Sequence, residues 1–117
     1  MADHSPAWRI QYYWTANHNV PVRDYVDALD IEGRADFHNL VRLLRIHGVL
    51  LAYPHCDHLE GKLWELRPFP HRIIYFAHTD HRFILLHAFP KKKGGKTPKR
   101  HIQTARKRMN DFLERGL

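Results

Sequence analysis

Residues 62–89, KLWELRPFPHRIIYFAHTDHRFILLHAF, decide the fold. Three runs dense in β-branched, aromatic and large aliphatic residues, 62–67, 72–78 and 82–89, are separated by Pro68-Phe69-Pro70-His71 and by Thr79-Asp80. Such runs with turn chemistry between them read as strands of an antiparallel meander. If Thr79-Asp80 is a two-residue turn, His78 lies opposite His81. That register sets Phe76 against Phe83, Ile74 against Leu85 and Arg72 against His87. A loop centred on Phe69-Pro70 sets Arg67 against Arg72, Glu65 against Ile74 and Leu63 against Phe76. Side chains alternate faces along a strand, so one face carries Arg67, Arg72 and His87 in a row. The other carries Trp64, Leu66, Ile73, Tyr75, Ile84, Leu86 and Ala88, an apolar layer that needs helices to cover it.

Those helices are found on either side. Residues 8–14, WRIQYYW, have the composition of a first strand, and Asn17-His18-Asn19 reads as a turn. Over residues 21–29, Val22, Tyr25, Val26 and Leu29 recur at three- and four-residue spacing behind Pro21, which a first helical turn tolerates. Phe37, Leu40, Val41 and Leu44, with Ile46 at the end, stripe a second helix, and Gly48 is its stop. The two helices form a hairpin, and residues 52–61 form a loop. Beyond the meander, residues 91–96 are basic and contain glycine. Thr97 then supplies an N-cap and Pro98 a first-turn proline for a last helix, whose buried stripe is Ile102, Ala105, Met109 and Phe112. The order is β-α-α-β-β-β-α.

A chain of 117 residues fits one domain, residues 1–117. Hydrophobic residues at 44% exclude a disordered composition, and no apolar run approaches the roughly 20 residues of a membrane span. Residues 1–6 lack the basic flank and apolar stretch of a secretory signal, and one cysteine, Cys56, forms no internal disulfide, so the expected location is the cytoplasm. Residues 1–89 carry nine Lys/Arg against ten Asp/Glu, whereas residues 90–117 carry ten against two. The whole basic excess lies in the last quarter, the footprint of a nucleic-acid partner; an acidic protein or an anionic membrane would be attracted by the same charge.

Two arginines and a histidine on a sheet face that the core does not need, with Lys91, Lys92 and Lys93 just past the strand end, make a phosphate site. The plainer alternative is that Arg67 pairs with Glu65. His55-Cys56-Asp57-His58 has ligand-type residues but no second pair at structural-zinc spacing, and no metal or other cofactor is expected.

The stretches LEGKLWELR (59–67), RIIYF (72–76), LLHAFPKK (85–92) and TPK (97–99) together resemble the phage-related HigB-like branch of the RelE/ParE toxin superfamily, over about residues 8–113. The resemblance implies an α+β, RelE-like fold, with a four-stranded, mainly antiparallel twisted sheet and helices on one face. It also implies ribosome-dependent endonucleolytic cleavage of messenger RNA, and a helix-turn-helix, HigA-like antitoxin that neutralises the toxin. The family's active positions fall on Arg67, Arg72, Lys91 and Lys92. The chain ends in a helix where RelE itself has a short segment with a catalytic tyrosine, so no general base is carried over from RelE. The superfamily also contains gyrase-inhibiting ParE relatives on the same fold, so a non-nuclease toxin or an inactive binding protein is the alternative reading.

Metal-free RNA cleavage needs a base for the 2′-hydroxyl, cations for the phosphorane and an acid for the departing 5′-oxygen. The sequence assigns Arg67 and Arg72 to the scissile phosphate and Lys91 or Lys92 to added charge. His87 is assigned to proton transfer, because an unperturbed imidazole titrates near neutrality. Lys93, Lys96, Lys99, Arg100, Arg106 and Lys107 are assigned to RNA and ribosome affinity.

Overall fold

The computed structural model describes residues 7–91 and 95–117. Its elements are β1 (Arg9–Tyr12), α1 (Pro21–Asp27), α2 (Ile31–His47), a 3₁₀ turn (Gly48–Leu50), β2 (Cys56–Glu60), β3 (Leu63–Leu66), β4 (His71–His78), β5 (Arg82–Pro90) and α3 (Lys99–Glu114). The local chemistry explains most boundaries. Pro21 opens α1, where its missing N–H is no loss. The Asp30 carboxylate caps α2 by accepting from the Gly33 N–H at 2.7 Å. Gly48 ends α2 at φ 58°, and a Cβ there would run into the Trp8 indole.

The sheet has five strands in the order β1-β5-β4-β3-β2, with β1 parallel to β5 and the remaining pairs antiparallel. The fold is therefore α+β, as expected, but with a mixed five-stranded sheet rather than a four-stranded one. The extra strand, β2, lies inside the expected 52–61 loop. Its sequence, CDHLE, has no apolar alternation because it is an edge strand largely open to solvent, with a bulge between His58 and Glu60.

Between β3 and β4 the register is the expected one, with Glu65 opposite Ile74. Between β4 and β5 it is not. His78 pairs with Arg82 across a three-residue loop in which Asp80 and His81 adopt φ of 62° and 55°, and a bulge skips Leu86. Ile74 thus faces His87, Arg72 faces Phe89, and Phe76 faces Ile84.

These shifts redistribute β5. Phe83 and Leu85, with Leu66, Ile73 and Tyr75, pack under Val22 and Val26 of α1 and Phe37 and Leu44 of α2. Ile84 and Leu86 go to the opposite face, where Leu63, Ile74 and Phe76 meet Ala105 and Phe112 of α3. The expectation of helices on one face is corrected accordingly: α1 and α2 cover one side and α3 the other. Trp64 stays 36% exposed and Ile46 60% exposed, so neither belongs to the core. Thr97 does not cap α3; Pro98 holds that position without a side-chain bond, because the threonine hydroxyl is engaged elsewhere.

Candidate phosphate-binding groove

Glu65 is the only carboxylate on the strands of the meander, and it is fully buried. An isolated carboxylate in that position would be costly, so its partners matter. Arg67 Nε donates to Glu65 Oε2 at 2.8 Å and Arg72 Nη1 donates to the same oxygen at 3.0 Å. The Thr97 hydroxyl donates to Oε1. Arg72 Nη1 also lies 3.3 Å from both the Gly95 carbonyl and Thr97 Oγ1, and Arg67 Nη2 reaches Asp57 Oδ2 at 3.2 Å. Glu65 and Arg67 are two residues apart and so share a face, while Arg72 approaches from the neighbouring strand. The pairing of Arg67 with Glu65 and the clustering of both arginines hold together: one carboxylate anchors two guanidinium groups.

The arginines border open space. A groove of about 350 Å³ at the end of the sheet is lined by Arg67, Arg72, Lys91, His71 and His55, with Leu40, Pro54 and Phe69 as its apolar walls. On the other side of Arg67, a cleft of about 610 Å³ is lined by Lys96, Lys99 and Thr97 facing Asp57, His58 and Glu60. Arg67 is common to both. Arg106 pairs with Glu60 at the cleft margin, and Arg100 and Lys107 are exposed on α3. Lys92 and Lys93 lie outside the described residues. Cys56 is buried, its thiol donating to the Leu51 carbonyl at 3.1 Å, whereas its neighbours Asp57 and His58 are exposed.

His87 occupies a different environment from the arginine pair. It shares their sheet face, but α3 covers that part of it. Its ring stacks with Phe89 and His101, and its Nε2 lies 2.8 Å from His101 Nδ1. Arg108 Nη1 approaches His87 Nδ1 at 3.3 Å. A guanidinium can only donate, so Nδ1 accepts and Nε2–H donates to His101. Burial first, and the Arg108 charge second, push the His87 pKa down to about 4. The imidazole is therefore neutral at pH 7 and serves the α3 interface.

This has a consequence for stability. A folded pKa below the unfolded one contributes stability that is complete above about pH 6.5 and is lost as pH falls toward 4. The ring keeps some solvent contact, so the loss should be about 1–2 kcal/mol rather than the full shift. Urea unfolding at pH 7 and pH 4.5 checks it: His87→Phe should lose less stability over that interval than the wild type, and equal losses would contradict the assignment.

The sequence alone gave His71 no role in the site, and read Tyr25 as part of a helix stripe, Asp57 as a weak metal-ligand candidate and Thr97 as a helix cap. The position of Glu65, the one carboxylate on the three strands of the meander and beside arginines on its own face, was the available signal for the network. Nothing local marks His71, which comes to the groove only because the chain bends at Pro68-Phe69-Pro70.

Two comparisons bear on this architecture. A chain of the archaeal RelE–RelB complex from Pyrococcus horikoshii OT3 is similar in structure, with a TM-score of 0.57 and 18% identity over 75% of this chain and 99% of that one. That likeness shows the RelE-like fold. No curated protein matches the sequence. The model of the family described as Phage derived protein Gp49-like (DUF891) matches residues 24–110, nearly all of the chain between the first helix and the end of the last. On that match, which includes the whole meander, its arginine pair and most of α3, the chain belongs to the phage-derived Gp49-like family.

Proposed function

We propose that this chain, acting as one domain over residues 1–117, is a HigB-like toxin of a toxin–antitoxin pair in the cytoplasm. Its activity is that of a metal-independent endoribonuclease that cleaves messenger RNA on the translating ribosome. The observation that carries this reading is the joint anchoring of Arg67 and Arg72 on Glu65 at the wall of an open groove that also receives Lys91. Guanidinium groups fixed before the substrate arrives stabilise a phosphorane without reorganising, and this preorganisation is where most catalytic benefit of charge arises. The 2′-oxygen attacks phosphorus as its proton is removed, the bond to the 5′-oxygen breaks, and that oxygen leaves protonated. The products are a 2′,3′-cyclic phosphate and a 5′-hydroxyl. With Lys91 we include Lys92, next along the chain, as a further source of positive charge for the phosphate.

The partner on this reading is a helix-turn-helix, HigA-like antitoxin; that there is an antitoxin at all is in keeping with the archaeal RelE–RelB complex whose RelE-like fold this chain shares. Among the described residues no helix is long and apolar enough to cross a membrane. The test is a purified reaction with ribosomes translating a defined message, followed by analysis of the new ends. Cyclic phosphate and 5′-hydroxyl termini support the reading; intact message, with gyrase supercoiling inhibited in parallel, would favour the ParE-like alternative.

Lys93, Lys96, Lys99, Arg100, Arg106 and Lys107 supply affinity for ribosomal or messenger RNA. Arg106 is partly neutralised by Glu60, and four of the described cations, Lys96, Lys99, Arg100 and Lys107, are exposed. Four phosphate contacts should lower RNA affinity roughly 10- to 100-fold between 50 and 200 mM salt, from a slope of about −0.7 per contact on single strands. Filter binding across that range checks it, and an affinity independent of salt would remove these residues from the interface.

A further inference from the structure

Cleavage at the groove needs a proton acceptor, and His87 is held under α3. Another histidine borders the same groove as the arginines. His71, the first residue of β4, lines the groove together with Arg67, Arg72 and Lys91. Its position is fixed by the chain on both sides: its N–H donates to the Pro68 carbonyl at 2.8 Å, and the Lys91 N–H donates to the Pro70 carbonyl at 2.6 Å. Its ring is fixed from α1, where Tyr25 Oη lies 2.6 Å from His71 Nδ1 and the two rings pack edge to face at 5.5 Å. With Nδ1 engaged by the tyrosine oxygen, Nε2 is the nitrogen left to face a substrate.

We propose that His71, oriented by Tyr25, is the proton-transfer residue of the groove. This rests on the nuclease reading above. His71 Nε2 takes the proton of the 2′-hydroxyl while Nδ1–H donates to Tyr25 Oη, and the 2′-oxygen bonds to the phosphorus held by Arg67 and Arg72. The bond to the 5′-oxygen breaks, that oxygen receives a proton from water, and the imidazolium returns its own proton to solvent. Tyr25 does not touch the reacting atoms; it is a positioning residue that holds the ring, and its oxygen accepts from Nδ1–H in the tautomer whose Nε2 is free to act as the base.

The surroundings keep the ring ready to accept. Burial lowers the His71 pKa, and Asp30, at the start of α2, opposes that effect. The cations of Arg67, Arg72 and Lys91 border the same groove, and His55 is the other titratable ring there. A neutral imidazole at pH 7 with cations nearby is a base, and a phosphate bound beside it offsets their repulsion.

The experiment is single-turnover cleavage of message on translating ribosomes from pH 5 to 8. Wild type should show a rate that rises with pH through an acidic limb. His71→Gln should lose that limb and slow by about 10²- to 10⁴-fold, with RNA affinity held. Tyr25→Phe should lower kcat several-fold at unchanged KM. The proposal is overturned if His71→Gln keeps the limb and the rate, or if the limb disappears in His87→Gln instead. A wild type that cuts no message at any pH would instead refute the nuclease reading, and this inference with it.

Discussion

Arg72→Ala should cut messenger RNA on the order of 10²-fold or more slowly than wild type, with little change in ribosome affinity. The reason lies in what Arg72 is joined to. It is only 8% exposed, and one of its nitrogens is shared among Glu65, Gly95 and Thr97, so its guanidinium has one orientation rather than several. A charge fixed in that way acts mainly on the phosphorane and little on the ground state, so its loss should appear in kcat. Arg67→Ala should behave similarly, with an added loss in binding because Arg67 borders both the groove and the larger cleft. Single-turnover rates alongside equilibrium binding separate the effects, and equal losses in rate and affinity for Arg72→Ala would mean that it serves only general attraction.

The largest effect on folding should come from Glu65→Ala. The carboxylate is completely buried, and removing it leaves the buried Arg72 charge with only the neutral Gly95 carbonyl and Thr97 hydroxyl as partners, while Arg67 retains its ion pair with Asp57. Breaking a buried pair from one side costs about 3–5 kcal/mol, because an uncompensated charge remains. Glu65→Gln keeps the volume and an acceptor and should cost less. Urea midpoints for the two variants give the answer. A loss under about 1 kcal/mol for Glu65→Ala, the range of exposed pairs, would mean that water reaches the network freely.

How far the sequence could be read depended on whether local chemistry determined the geometry. The turn containing Pro68, Phe69 and Pro70 fixed the register of β3 on β4, and with it the neighbourhood of Glu65, Arg67 and Arg72. The next turn misled because Asp80 and His81 both take left-handed conformations usually left to glycine, adding a residue to the loop. The bulge at Leu86 carries no glycine or proline to announce it. Together these moved His87 from a place opposite Arg72 to one opposite Ile74, beneath a helix that was expected on the other side of the sheet. β2 was hidden because an edge strand needs no apolar face. The Tyr25–His71 contact joins residues 46 apart in the chain, which no spacing rule reaches.

Mapping messenger RNA 5′ ends by primer extension after brief induction in a bacterial host tests the central claim most directly. New ends confined to translated regions, and absent when Arg67 or Arg72 is replaced by alanine, are the expected result. Growth arrest with no new ends, or with the same ends in both variants, would contradict it.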